Sequence, residues 1–135
     1  MIFLDTNVIS ETLRKEPSEA VLSWLIRHDA EIALPSVAIA AIAFGIQKIF
    51  PDQRSILLEQ GLNGRRFSGR IFALTEEAAM AYGDIMGKAS RQGHGMSAPD
   101  GMIAAIARVN GGRLATRNLS DFCTTGLELI SPWEI

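Results

Sequence analysis

Apolar residues recur along this chain in short unbroken runs, and most runs give way to a segment in which they fall at helical spacing. Runs at residues 2–4, 31–34, 70–74, 113–115 and 128–130 read as strands. The first, Ile2-Phe3-Leu4, shows no alternation, as expected of a strand buried on both faces of a parallel sheet. Between the runs, Ser18 is placed to cap a helix in which Val21, Trp24, Leu25 and His28 share one side. Thr75, followed by Glu76 and Glu77, opens another that carries Ala78, Tyr82, Ile85 and Ala89 on one side and ends near Gly93. After the second strand, Ile39, Ile42, Ile46 and Ile49 form a bulky helical face, with Ala38, Ala41 and Gly45 as an adjacent small face. Gly61-Leu62-Asn63-Gly64 breaks the middle of the chain, after a helix that begins near Asp52. Short strands alternating with helices predict an α/β domain with a mainly parallel central sheet flanked by helices.

At 135 residues the chain fits a single domain spanning residues 1–135, and its 47% hydrophobic and 21% charged residues leave no low-complexity stretch. A net charge of −2 removes bulk attraction to nucleic acid, so any such chemistry must be local. Arg65, Arg66 and Arg70 cluster in the middle, and Arg113 and Arg117 lie near the proposed chemical end of the chain; a solvated surface is the plainer reading for each. Cys123 is the only cysteine, which excludes an intramolecular disulfide and fits a reducing, cytoplasmic setting. The segment 32–47 carries no charge, but it is too short and too punctuated by Pro35, Ser36 and Gly45 to span a bilayer, which needs about 20 apolar residues. His28 and His94 share no metal-ligand spacing and read as surface or packing residues.

Chemistry gathers where the strands stop. Asp5 follows the first strand and is either a helix N-cap or a group facing a ligand, since parallel α/β sheets bind ligands beyond the carboxyl ends of their strands. Asp100 follows Ser97 at capping-box spacing with Pro99 in the first helical turn, so it too is either part of a cap or a metal ligand at the positive end of a helix. Beyond the strand at 113–115 come Thr116, Asn118 and Asp121, which read as turn formers or as further site groups. Acids at the ends of several buried elements are costly unless cations neutralise them, and oxygen-rich sites of this kind suit Mg²⁺ or Mn²⁺. Metal-assisted phosphodiester hydrolysis is the reaction that such a site serves. No phosphate-binding G-x-x-x-x-G-K-[ST] loop and no G-x-S-x-G elbow is present, which argues against a nucleoside triphosphatase, a small-molecule phosphatase or a serine hydrolase.

Taken in order, these residues resemble the PIN-domain family, in particular the VapC-like and FitB-like toxins of bacterial toxin–antitoxin pairs. The resemblance runs nearly end to end and is carried by residues 4–11, Phe44-Gly45-Ile46, Asp100 with residues 103–107, Thr116-Arg117-Asn118 with Asp121-Phe122, and Pro132-Trp133. It implies a single PIN-like α/β domain whose acids bind Mg²⁺ or Mn²⁺ and cleave RNA, a homodimer, and a cognate antitoxin that blocks the site and links the pair to operator DNA. By position, Asp5 and Asp100 would be the principal metal ligands and Asp121 would complete the acidic cluster. Thr6, Asn7, Thr116 and Asn118 would support them.

One position departs from the resemblance. Family members of this type usually carry a Glu three residues before the Phe-Gly-Ile, and here that residue is Ala41, with no carboxylate anywhere in 36–46. Three readings are open: an engineered loss of activity, a natural degenerate toxin, or a site that works with fewer acids. An isolated loss in an otherwise intact motif set is most simply an engineered one. A second function therefore stays in play, that of a catalytically impaired module that binds an antitoxin and acts with it at operator DNA.

Overall fold

The computed structural model describes residues 1–49 and 69–134. The strands are β1 (Ile2–Leu4), β2 (Ile32–Pro35), β3 (Ile71–Phe72), β4 (Arg113–Ala115) and β5 (Leu129–Ile130). The helices among these residues are α1 (Thr6–Thr12), α2 (Glu19–Arg27), α3 (Ser36–Lys48), α4 (Glu76–Arg91) and α5 (Ala98–Val109), with short 3₁₀ turns at Asp29–Glu31 and Leu119–Phe122. The glycine break at 61–64, the helix beginning near Asp52, and Arg65 and Arg66 lie outside the described residues.

All strand pairs are parallel, and the strand order is β3-β2-β1-β4-β5. The sheet is thus fully parallel where the sequence pattern required only a parallel majority. β1 lies at the centre, which explains its unalternating apolar run: Ile2 and Phe3 are wholly buried and Leu4 almost so. From β1 the chain moves to β2 and β3 on one side, then crosses to β4 and β5 on the other. The strand order reverses between β1 and β4, the place where parallel α/β sheets bind ligands in a crevice beyond the carboxyl ends of their strands.

The expected caps form. Ser18 and Thr75 accept hydrogen bonds from Val21 N and Ala78 N, and Ser97 does the same from Asp100 N. His28, expected within the second helix, is instead its C-cap and packs against the buried Trp24 ring at 4.8 Å. α5 is the innermost helix, with Gly101 and all of Ile103, Ala104, Ala105, Ile106 and Ala107 buried. Its small residues let neighbours approach closely: a Cβ on Gly101 would meet Met86 Sδ at 2.5 Å and Tyr82 Cε2 at 2.9 Å, so α4 fixes where the first turn of α5 sits. None of the described helices is long and apolar enough to cross a membrane.

Candidate functional site

Asp5 stands at the reversal point. The ladder between β1 and β4 pairs Leu4 with Ala115 and continues one step further through Asp5 N to Ala115 O at 2.9 Å, which brings Asp5 beside Thr116. The cap alternative for Asp5 is realised, and a second contact accompanies it. As the N-cap of α1 its Oδ1 accepts from Thr6 N at 2.7 Å, and its Oδ2 accepts from the Thr116 hydroxyl at 2.8 Å. Thr116 Oγ1 in turn accepts from Asn118 N at 3.0 Å, so the hydroxyl proton is directed to Asp5. Asn7 Oδ1 accepts from Arg117 N at 3.3 Å and ties the same loop to α1.

The electrostatics of this edge are unusual. Burial holds the Asp5 carboxyl above its ordinary value despite two hydrogen bonds to its charged form, and the charges of Asp100 and Asp121 push it further. Asp100, half-buried at the start of α5, is also raised, first by burial and then by Asp121, against a lowering hydrogen bond with Ser97. Asp121 is exposed on the 3₁₀ turn after β4, which Asn118 precedes without a side-chain cap. The structure therefore brings Asp5, Asp100 and Asp121 within electrostatic reach of one another. Among the described residues, however, no three His, Cys, Asp or Glu side chains converge as one ligand cluster.

Hard oxygen donors and mutually destabilised negative charges fit a divalent cation, whose positive charge would relieve the cost of keeping Asp5 and Asp100 ionised. An ion such as Mg²⁺ or Mn²⁺, which keeps much of its water and is commonly bound through one or two carboxylates, fits this donor chemistry.

Ala41 lines a cleft of about 300 Å³ between α1 and α3, together with Thr6, Ser10, Leu13, Arg14, Ile42, Gly45 and Ile46. Of the small face expected on α3, Ala38 is buried while Ala41 and Gly45 are exposed in this cleft, and a Cβ on Gly45 would meet nothing within 4 Å. The position that lacks an acid thus opens onto the same groove as Thr6, the residue bonded to Asp5.

Arg113, expected near the chemical end, and Arg70, of the central cluster, both lie elsewhere, because position along the chain does not give strand direction. Arg113 is at the amino end of β4, bound to Glu31 at 3.3 Å, and Arg70 precedes β3, bound to Asp29 through two side-chain contacts and to its carbonyl. Both lie at the edge opposite Asp5. Arg117 directly follows Thr116, the partner of Asp5; its guanidinium lies 5.0 Å over the Trp133 ring, and its charge reaches Glu11. Sequence reasoning also missed Glu11, which is 3% exposed and accepts from Ser18 N at 2.8 Å while pairing with Arg14. Its place among apolar neighbours on the buried side of α1 was the available signal.

Comparison with known proteins agrees with this architecture. Residues 2–125 match the PIN domain. The chain is 36% identical to the VapC ribonuclease Y4jK of Sinorhizobium fredii, with 99% of each covered. It is 34% identical to Toxin FitB of Neisseria gonorrhoeae, covering 98% of this chain and 99% of that one. The crystal structure of FitAcB from Neisseria gonorrhoeae superposes with a TM-score of 0.93 at 33% identity over the whole of both chains. A five-stranded parallel sheet with its reversal point at an acid, a match along nearly the full length and relatives above 30% identity together place this chain in the PIN domain family.

Proposed function

We propose that this chain is the toxin of a toxin–antitoxin pair and a Mg²⁺- or Mn²⁺-dependent endoribonuclease, its domain occupying residues 1–135. The observation that carries the reading is Asp5: a buried carboxylate at the reversal point, fixed by Thr6 and Thr116, and held above its ordinary pKa by burial and by two further acids. Relatives named VapC ribonuclease and Toxin FitB support the activity and the toxin role. A solved FitAB structure that includes a DNA fragment, 32% identical to this chain, supports an antitoxin partner and contact with operator DNA through it. The homodimer and the cytoplasmic setting belong to the same proposal.

Asp5 and Asp100 would hold the cation, with Asp121 adding charge to the cluster. When bound, the cation neutralises the acids, polarises an attacking water and stabilises the leaving oxygen of the phosphodiester. The chain's own residues supply orientation. Thr6 N–H and the Thr116 hydroxyl leave the Asp5 carboxylate no freedom to turn, and Asn118 N–H fixes that hydroxyl. Asn7 holds the Thr116–Asn118 loop against α1, so the two sides of the crevice cannot separate without breaking that bond.

Ala41 weakens this site. A carboxylate there would point into the cleft lined by Thr6 and Ser10, and its loss lowers metal affinity and rate by about tenfold or more if ligand-shell substitutions are a guide. Cleavage of bulk RNA by the purified chain, with Mn²⁺ or with EDTA, tests the reading: cleavage should need the metal and rise at least severalfold in Ala41→Glu. A second reading, an impaired module that binds an antitoxin and acts at DNA, rests on the same exposed Ala41. It is favoured if Ala41→Glu restores no cleavage while a small DNA-binding partner still binds tightly.

A further inference from the structure

Three carboxylates at one edge repel the phosphates of any RNA that approaches, and the proposed cation is spent on the acids themselves. Arg14, Arg70 and Arg113 are each paired with a carboxylate. Arg117 is different. It directly follows Thr116, is exposed, and among the described residues forms no salt bridge. Its main chain is pinned by N–H donation to Asn7 Oδ1, and its guanidinium lies over the half-buried Trp133 ring.

The fold produces this pairing. β4 and β5 are parallel neighbours, and Thr116 N donates to Ile130 O at 2.9 Å, so the residues just beyond both strands leave the sheet side by side. Ser131 and Pro132 are buried and anchor the turn that sets Trp133 under Arg117. An arginine stacked on an aromatic ring has lost much of its rotamer freedom and keeps its in-plane N–H donors available, which is the geometry that grips a phosphate through two parallel hydrogen bonds.

We propose that Arg117, backed by Trp133, is a phosphate-binding residue that seats the backbone of single-stranded RNA beside the Asp5 site. Trp133 is a positioning residue that acts through Arg117. The inference rests on the ribonuclease reading, since the phosphate it explains is that of the substrate.

The test is fluorescence anisotropy of a labelled single-stranded RNA of about ten nucleotides, titrated with the full chain over a range of salt, with Ca²⁺ present to neutralise the acids. Arg117→Ala should weaken binding about tenfold, the worth of one charged hydrogen-bonded contact. It should also lower the slope of log affinity against log salt by about 0.7, the value for one phosphate contact on a single strand. Arg117→Lys should keep the salt slope and recover only part of the affinity, and Trp133→Phe should recover more than Trp133→Leu. Failure of the unsubstituted chain to bind any RNA overturns the ribonuclease reading and this proposal with it. RNA binding with the same affinity and slope in Arg117→Ala overturns this proposal alone, as does a loss confined to binding of an acidic protein partner.

Discussion

At the amino edge of the sheet Asp29 meets Arg70, and Glu31 meets both His28 and Arg113, whereas at the carboxyl edge Asp5 and Asp100 face Asp121 and, among the described residues, make no ion pair. The titration follows the difference. The hydrogen bond from His28 and the charge of Arg113 hold Glu31 below its ordinary value, while burial and neighbouring acids hold Asp5 and Asp100 above theirs. One edge spends its charges on one another at the surface, where such pairs are worth little. The other keeps charges that cost stability, which is sensible only where something else supplies the balance.

Asp5 and Glu11 repeat the contrast at the two ends of one helix. Both are almost fully buried, at 4% and 3% exposure, yet Glu11 is held low by Ser18 N–H, then by Arg14 and Arg117. At Asp5 burial outweighs two hydrogen bonds, whereas at Glu11 the hydrogen bonds and positive charges outweigh burial.

The largest effect is expected at Gly101, which fixes Asp100 against α4. Gly101→Leu must displace Met86 and Tyr82 and should cost about 1–3 kcal/mol or more, read as the urea midpoint. A smaller loss would mean that the carboxyl edge is held less rigidly than the packing indicates. Next comes Glu11→Gln. Because the folded pKa of Glu11 is lowered, its contribution is fully present above the ordinary value of 4.5 and is lost as pH falls through the folded value. The variant should be less stable at neutral pH and should lose less stability on acidification, as measured by melting temperature against pH. The smallest effect belongs to the amino edge: Arg70→Ala should change stability by no more than about 1 kcal/mol, since its partner Asp29 is mostly exposed. A larger change would erase the contrast between the edges.

Much of this was legible in the sequence because it depended on local signals. The unbroken run Ile2-Phe3-Leu4 marked a doubly covered strand, Ser18, Thr75 and Ser97 marked helix starts, and Asp5, Thr116 and Asp121 marked polar chemistry just past apolar runs. Strand order and register were not legible, because they are set by pairings between residues far apart in the chain. That is why Arg113 could be grouped with Arg117, although β4 separates them onto opposite edges, and why Trp133 could not be seen beside Arg117. The same limit applied to Asp5, where the Thr116 hydroxyl, from the opposite end of the chain, bonds one carboxylate oxygen while the other caps α1.

The central claim is that the carboxyl edge carries uncompensated acids because a divalent cation completes it, and the most direct measurement is the melting temperature of the chain and of Asp5→Asn, each with EDTA or Mn²⁺. The folded pKa of Asp5 is raised, so its ionisation costs stability once the pH exceeds the ordinary value of 3.8. In EDTA at neutral pH, Asp5→Asn should melt higher than the unsubstituted chain; Mn²⁺ should raise the melting temperature of the unsubstituted chain and leave that of Asp5→Asn nearly unchanged. Equal shifts in both proteins, or a lower melting temperature for Asp5→Asn in EDTA, would contradict the account.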